Sequence, residues 1–366
     1  MHFVATVLLA TLATACFAKP PRPADGDPDA APSVAGWLDG YAFRKHVTVT
    51  SGITGPLANF PVGVVRSDAD LLAHARSDGR DIVATAADGE TLLATELAAY
   101  DAGNLELWVK LPELVDANAF YLYYDGDAQP ASTSVWDAPV FAGVWHLSDI
   151  GTARDSTSQG NHLNASGAAI PTTVPGVFGS ARSLDGDDQL NGGDPADGSL
   201  DFGGDSFSYS LWVHQSQLLG GGFDTPFYKG GASSNEPGYC WLLGSANWTA
   251  KIHDGTNAAD PELGLASTFQ NRWVHIAAVI DRAGGTISVF ADGAQTGGQS
   301  LTARAIDSVS TVEAIQVGRG NMEPFTGLVD EVRIYKTAVT QEWLAAEVNN
   351  GTAPMFLTLG PEEAKP

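Results

Sequence analysis

Apolar and polar residues alternate in short runs along most of this chain, and turn residues break the runs. Residues 41 to 50, YAFRKHVTVT, alternate with the period of two that sends successive side chains to opposite faces of a strand. The stretches 59 to 66, 92 to 98, 104 to 110 and 118 to 124 do the same. One short helix is expected near 69 to 76, started by Ser67 or Asp68. This first block closes around Gln129 and predicts a small β-sandwich. A second block follows PASTSVWDAPVFAGVWHLSD. Its clearest hairpin is WVHIAAVIDRAGGTISVFADGAQ (273 to 295), two strands around DRAGG with DG turning out of the second. SFSYSLWVHQSQ (206 to 217), AIQVGRG and GLVDEVRIY read as further strands. A helix follows the last of these. Thr340 caps it, Glu342 suits its positive end, Leu344 and Val348 pair, and Asn349-Asn350-Gly351 is expected to stop it. The expected class is all-β, with two β-sandwich domains and no internal repeat.

The run GLVDEVRIY poses a problem. Read with period two, Leu328, Asp330, Val332 and Ile334 share one face. Val329, Glu331, Arg333 and Tyr335 share the other, a mixed face that water could wet. Asp330 is thus expected among apolar neighbours. A carboxylate buried without partners costs several kcal/mol, so a metal, an Arg or backbone N–H groups must meet it.

Charge narrows the partners. Nineteen Lys and Arg against 43 Asp and Glu leave a net charge of −24. Phosphate backbones need clustered Lys and Arg, so the charge argues against nucleic acid as a partner, and against adhesion to an anionic bilayer through a basic patch. Calcium and neutral or cationic ligands remain. The first 18 residues read as an export signal whose apolar stretch, Phe3 to Ala15, is short for a membrane span. ATAC resembles a bacterial lipobox, which would make Cys16 the lipidated first residue. CFA before Lys19 would instead serve an ordinary signal peptidase, and both exits stay open. The chain is expected to be exported, either as an outer-membrane or cell-surface lipoprotein or as a secreted protein, with any membrane contact through that lipid alone. Residues 19–36, rich in Pro, read as an extended tether. The expected domains are 37–135 and 136–352, with 353–366 as a C-terminal tail. Cys240 is the only other cysteine and reads as a buried structural thiol.

Six segments in order, VWHLSD, DSTSQGNH, ARSLDGDDQL, SYSLWVH, WVHIAAVID…GTISVFADG and FTGLVDEVRIYKTAVTQEW, resemble the laminin-G-like, concanavalin A-like jelly roll of exported bacterial proteins. The likeness runs from about Val140 to Gly351. YAFRKHVTVTSG, NFPVGVV, DGRDIVATAADGETLLATEL, LWVKLPEL and YLYYDGDAQPAS resemble a small bacterial domain of unknown function that commonly precedes such jelly rolls. That second likeness implies architecture and no activity. The jelly-roll likeness implies a binding scaffold for carbohydrate or protein, often with a structural calcium. In that fold the strand before the terminal helix often gives its Asp to calcium, and Asp330 matches the position. Calcium takes about six to eight oxygens. DSTSQGNH offers Asp155, Ser156 and Asn161, and LDGDDQ offers Asp185, Asp187 and Asp188. The expected metal ligands are Asp330, Asp155, Asn161 and Asp185. The alternative for Asp330 is capture by backbone amides alone, and the acidic loops otherwise read as solvated turns without calcium-loop spacing.

Sugar rings stack on exposed aromatic faces. Tyr239, Trp241 and Trp248, with Asn235, Asn247 and Asp254 nearby, form the candidate glycan site. The alternative is that these rings pack the core, as expected for Trp145, Trp212 and Trp273. Catalysis is not expected. The E-x-D-x-x-E acid pattern of jelly-roll glucanases is missing, as are G-x-S-x-G and H-E-x-x-H. FGGDSFS resembles a lipase nucleophile block but lacks the later D-x-x-H. No two histidines have zinc-ligand spacing. The sequence thus predicts a non-catalytic, envelope-associated protein that binds glycan or glycoconjugate, with structural calcium. The alternative is a module that binds a cell-surface protein and no sugar. The oligomeric state is left open.

Overall fold

A computed structural model describes residues 36–129, 135–136, 139–167, 170–216, 222–320 and 323–366. The export signal, Cys16 and the tether up to residue 35 lie outside the described residues.

The first lobe is a sandwich of two antiparallel sheets. One sheet runs Leu357–Ala364, Phe43–Val49, Asn118–Tyr124, Val83–Ala86 in spatial order, and the other runs Leu57–Ser67, Asn104–Leu114, Thr95–Asp101. The expected short helix is present as Ala69–His74. Asp68 caps it by accepting from the amides of Asp70 and Leu71. Leu357–Ala364 corrects the expected C-terminal tail. It pairs antiparallel with Phe43–Val49, from Phe43 opposite Ala364 to Val49 opposite Leu357. The chain therefore builds most of the first lobe, builds the whole jelly roll, and returns to add an edge strand to the first lobe.

The jelly roll also has two antiparallel sheets. The inner one, nearer the first lobe, runs Thr172–Pro175, Ser180–Asp185, Thr326–Tyr335, Phe207–Gln215, Val274–Asp281, Thr286–Ala291, Ala294–Ser300, and Phe141–Trp145 pairs with Thr326–Tyr335. The outer one centres on Asn247–His253, Gly238–Gly244, Phe227–Gly230, Ile315–Val317 and Asp188–Gly193. The expected hairpin at 273 to 295 is there. Its DG turn places Asp292 and Gly293 both at positive φ, 49° and 77°, the conformation a tight hairpin turn requires. Between the sheets lies one core that includes Tyr209, Leu211, Val213, Tyr239, Trp241, Trp248, Val329, Val332 and Ile334.

A second apolar cluster joins the lobes. It combines Phe60, Val62, Trp108 and Trp136 of the first lobe side with Val144, Ala277, Val279, Phe290 and Tyr335 from the jelly roll's inner sheet, and with Trp343 and Leu344 from the terminal helix. That helix, Gln341–Thr352, is capped by Thr340, whose side chain accepts from the Trp343 amide. It runs one residue past the expected stop, because Asn349 and Asn350 are used elsewhere. Asn349 Nδ2 donates to Ser51 O at 3.1 Å. Asn350 accepts from Gly63 N at 2.7 Å and donates to Gly63 O at 2.9 Å, copying a strand's ladder bonds across the lobes.

Candidate functional site

The register of Thr326–Tyr335 decides where its acids point. Val329 lies opposite Val213, Asp330 opposite Trp212, Arg333 opposite Ser210 and Ile334 opposite Tyr209. Two residues, Glu331 and Val332, thus face one partner, Leu211. This is a β-bulge, and Glu331 sits at its turn with φ +47°. The extra residue reverses the alternation. Asp330 shares its face with Arg333 and not with Val332 and Ile334, which corrects the unbroken period-two reading. That face is not wet either: the first lobe covers it, leaving Glu331 and Arg333 at 1% and 4% exposure.

Asp330 is answered by amides. Its Oδ2 accepts from Val177 N at 2.7 Å and Phe178 N at 3.0 Å, pinning the turn before Ser180–Asp185. Burial, with the charge of Glu331 adding to it, holds its carboxyl far above the usual carboxylate range. Glu331 meets cations. Its Oε1 faces His146 Nδ1 at 2.6 Å and its Oε2 accepts from Arg333 at 2.7 Å. Burial would raise the Glu331 carboxyl, but His146 and Arg333 outweigh burial and lower it. Arg333 also donates to Glu347 at 2.8 Å and lies over the rings of Trp108 and Trp136. Glu347 further accepts from Tyr335 and from the Trp343 indole. His146 Nε2 lies 3.5 Å from Glu96, which also accepts from the Trp136 indole. Burial would lower the His146 imidazole, but Glu331 and Glu96 outweigh it and raise it well above its ordinary range. Glu106 completes the layer from the first lobe. Its Oε2 accepts from Ser148 at 2.9 Å, its Oε1 has no partner, and burial pushes its carboxyl up to about 7.

The four residues expected to share a cation are not gathered. Asp155 is saturated by its own loop: it accepts from the amides of Val144, Thr157 and Asn161 and from the Thr157 hydroxyl. Asn161 donates its side chain to Ser199. Asp185 lies in an acidic turn with Asp187 and Asp188. Among the described residues, the groups of acids and histidines close enough to share an ion are that turn and Glu106–His146–Glu331. Asp330, Asp155, Asn161 and Asp185 thus do not supply one oxygen cage.

The expected glycan platform is corrected as well. Tyr239, Trp241 and Trp248 are each 0% exposed and pack the jelly-roll core. The Tyr239 hydroxyl donates to Leu200 O, and the Trp248 indole to Gln215. Period two held the signal, because Tyr239, Trp241 and Leu243 fall on one side of Gly238–Gly244, and so large an apolar set belongs inside. Asp254 folds its own turn, accepting from Thr256 and Asn257 amides. Burial opposes its ionisation, but the amides of Asn257, Asp307 and Thr256 outweigh it and bring the carboxyl to about 2. Asn235 is exposed, beside a rim cavity of about 440 Å³ that Asp194, Asp201, Glu236 and Glu313 also border.

The residues that alternate with the core set open a different surface. On the outer face of the outer sheet, Tyr228, Cys240 and Leu242 form a small cluster. Burial pushes the Cys240 thiol up to about 12, in keeping with a structural thiol. Beside the cluster is a groove of about 260 Å³, lined by Phe223, Ala232, Leu242, Thr249, Lys251, Asp260 and Glu323. Phe223 is 46% exposed. Lys251 donates to Ala232 O at 2.8 Å, fixing the loop over the groove's edge.

These two faces sit on a known scaffold. Residues 182–345 match the concanavalin A-like lectin/glucanases superfamily. Solved structures similar to this chain include the binding domain of paraclostridial mosquitocidal protein 1, at 15% identity and TM-score 0.46, covering 57% of this chain and 52% of that one. Domain 4 of AbnA, a GH43 extracellular arabinanase from Geobacillus stearothermophilus solved with arabinotriose, matches at 22% identity and TM-score 0.42, covering 57% and 97%. The botulinum neurotoxin serotype G binding domain matches at 13% identity and TM-score 0.47, covering 57% and 50%. The chain spans about half the length of the two toxin structures. No curated protein matches it.

Proposed function

We propose that the protein is a non-catalytic binder of neutral saccharide, and that the outer-sheet groove around Phe223 is its site. The observation that carries this reading is the division of labour between the two faces of the jelly roll. The inner sheet is spent on the first lobe, whereas the other face of the outer sheet carries the groove, with Phe223 46% exposed beside it. A saccharide needs a flat apolar surface beside hydrogen-bonding groups. Phe223 supplies the first, and Leu242, 8% exposed, lines the groove beside it. Asp260 and Glu323 accept from sugar hydroxyls, and Thr249 and Lys251 donate to them. The net charge of −24 disfavours acidic glycans. The volume fits a short segment of a chain and not an extended cleft.

The test is affinity electrophoresis of the full chain through gels containing neutral polysaccharides, with Phe223→Ala beside it. Retardation of the wild type that falls at least about fivefold in Phe223→Ala, with an unchanged Tm, is the expected result, because a stacking contact of the size found for bases on aromatic rings is worth about 1–3 kcal/mol. Folded protein that no polysaccharide retards, or a variant retarded equally, would overturn the reading and leave a protein partner as the ligand of this face.

A further inference from the structure

We propose that Glu106, His146 and Glu331 form a divalent transition-metal site of the zinc class, set between the two lobes. Each residue offers one ligand atom, and those atoms lie within 4.8 Å of one another. All three side chains are buried, Glu106 at 2% exposure and Glu331 at 1%. The donor set is one imidazole nitrogen and two carboxylates. Imidazole favours zinc-class ions, whereas calcium prefers an all-oxygen cage. Glu106 Oε1 is a buried acceptor with no hydrogen-bond partner, an uncommon and costly condition that a cation would relieve.

The surroundings are those of a metal site. Glu96 faces the ring nitrogen of His146 that Glu331 does not, so one carboxylate orients the imidazole while its other nitrogen points into the cluster. Glu96 is itself held by the Trp136 indole. Arg333 holds the second oxygen of Glu331, and Ser148 holds the second oxygen of Glu106. Such outer partners fix ligand geometry and are part of what makes a site bind. An entry path exists. A cavity of about 410 Å³ reaches Glu106 past Arg66, Asp101, Asn104, Gly179 and Ser180. Admitting the ion requires the 2.6 Å contact of His146 with Glu331 to open to ~3.3 Å, the separation of two ligands each ~2.0 Å from a tetrahedral ion. Glu106 comes from the first lobe and the other two ligands from the jelly-roll side, so the ion would clamp the lobes together.

The experiment is equilibrium dialysis of the chelator-stripped full chain against zinc chloride, followed by calorimetric titration and cobalt(II) substitution. One ion per chain, a Tm that rises with zinc, and a cobalt spectrum of mixed nitrogen and oxygen ligation are expected. Glu106→Gln keeps the Ser148 contact and should lower zinc affinity at least about tenfold without lowering the metal-free Tm. His146→Asn is the second variant, and its cobalt spectrum should lose the imidazole contribution. Folded wild type that retains no zinc would overturn the proposal. So would zinc binding that survives Glu106→Gln and is lost in Asp187→Asn, which would place the ion in the acidic surface turn.

Discussion

Replacing Asp330 by Ala and by Asn separates the ways a buried acid can be accommodated. In the wild type its Oδ2 serves two amides, Val177 and Phe178, and its Oδ1 has no partner. Asp330→Ala strands both amides. A stranded buried donor costs about 1–3 kcal/mol, so the pair predicts a loss of about 2–6 kcal/mol. At about 1.5 °C per kcal/mol for a body of about 330 residues, Tm falls by about 3–9 °C. Asp330→Asn keeps an acceptor oxygen for the amides and turns an NH2 toward the acids beside it. It should lie within about 1 kcal/mol of wild type near pH 4 and be the more stable of the two at neutral pH. The sign with pH follows from the raised carboxyl. The unfolded chain ionises Asp330 above about 3.8 while the folded chain holds it protonated, so wild type loses stability as pH rises and the Asn variant does not. The assay is urea unfolding at pH 5 and pH 8, each with and without EDTA. If Asp330→Asn is as unstable as Asp330→Ala, or if EDTA destabilises wild type and neither variant, capture by amides is the wrong account and Asp330 is a metal ligand.

Other perturbations probe the lobe contact. Asn350→Ala removes both bonds to Gly63 and should cost about 1–3 kcal/mol, read by chemical denaturation. His275 is buried, and burial depresses its imidazole to about 4 against the attraction of Glu347. The unfolded chain takes this proton near 6.5, so stability is full above that pH and falls by about 3 kcal/mol on descending to 4; His275→Gln should flatten that part of the pH–stability curve. Gly179 has φ +51° and an added Cβ would strike the Glu106 carboxylate, so Gly179→Ala should destabilise by at least about 1 kcal/mol, and pairing it with Glu106→Ala should recover part of the loss in a double-mutant cycle.

Elements with strong local signals were legible in the sequence. The 273 to 295 hairpin, the Asp68 cap and the Thr340 cap each follow from nearest-neighbour chemistry. Asp330 was legible as a buried acid, but its face was not. The bulge at Glu331 carries no Gly or Pro to mark it, and one extra residue moves every side chain beyond it to the opposite face. Leu357–Ala364 was hidden for a different reason. LTLGPEEA has a Pro and two acids and looks like a tail, yet an edge strand tolerates all three because one of its sides needs no partner. Phe223, Lys251, Asp260 and Glu323 come from separate segments, so only the topology brings them to one groove. The same is true of Glu106 and Glu331, which lie on strands of different lobes.

The interlobe layer contributes orientation more than raw stability. Ion pairs buried as deeply as Glu331–Arg333–Glu347 return little beyond their own desolvation, yet removing one partner is costly. Glu96 and Glu106 of the first lobe meet His146 and Ser148 of the jelly roll, so a docking of the lobes that separates these groups breaks buried polar contacts, and apolar packing alone would not discriminate so sharply. The layer commits the inner sheet to the first lobe, and the returning strand Leu357–Ala364 ties the choice into the chain itself. One consequence distinguishes the two proposed sites. The Glu106–His146–Glu331 cluster lies on the inner sheet's lobe side and the Phe223 groove on the outer sheet's far side, with the jelly-roll core between them. Chelation should therefore lower Tm by loosening the lobes while leaving saccharide retardation of the folded protein unchanged. Retardation lost on chelation at temperatures well below the melt would mean that the ion belongs to the outer face.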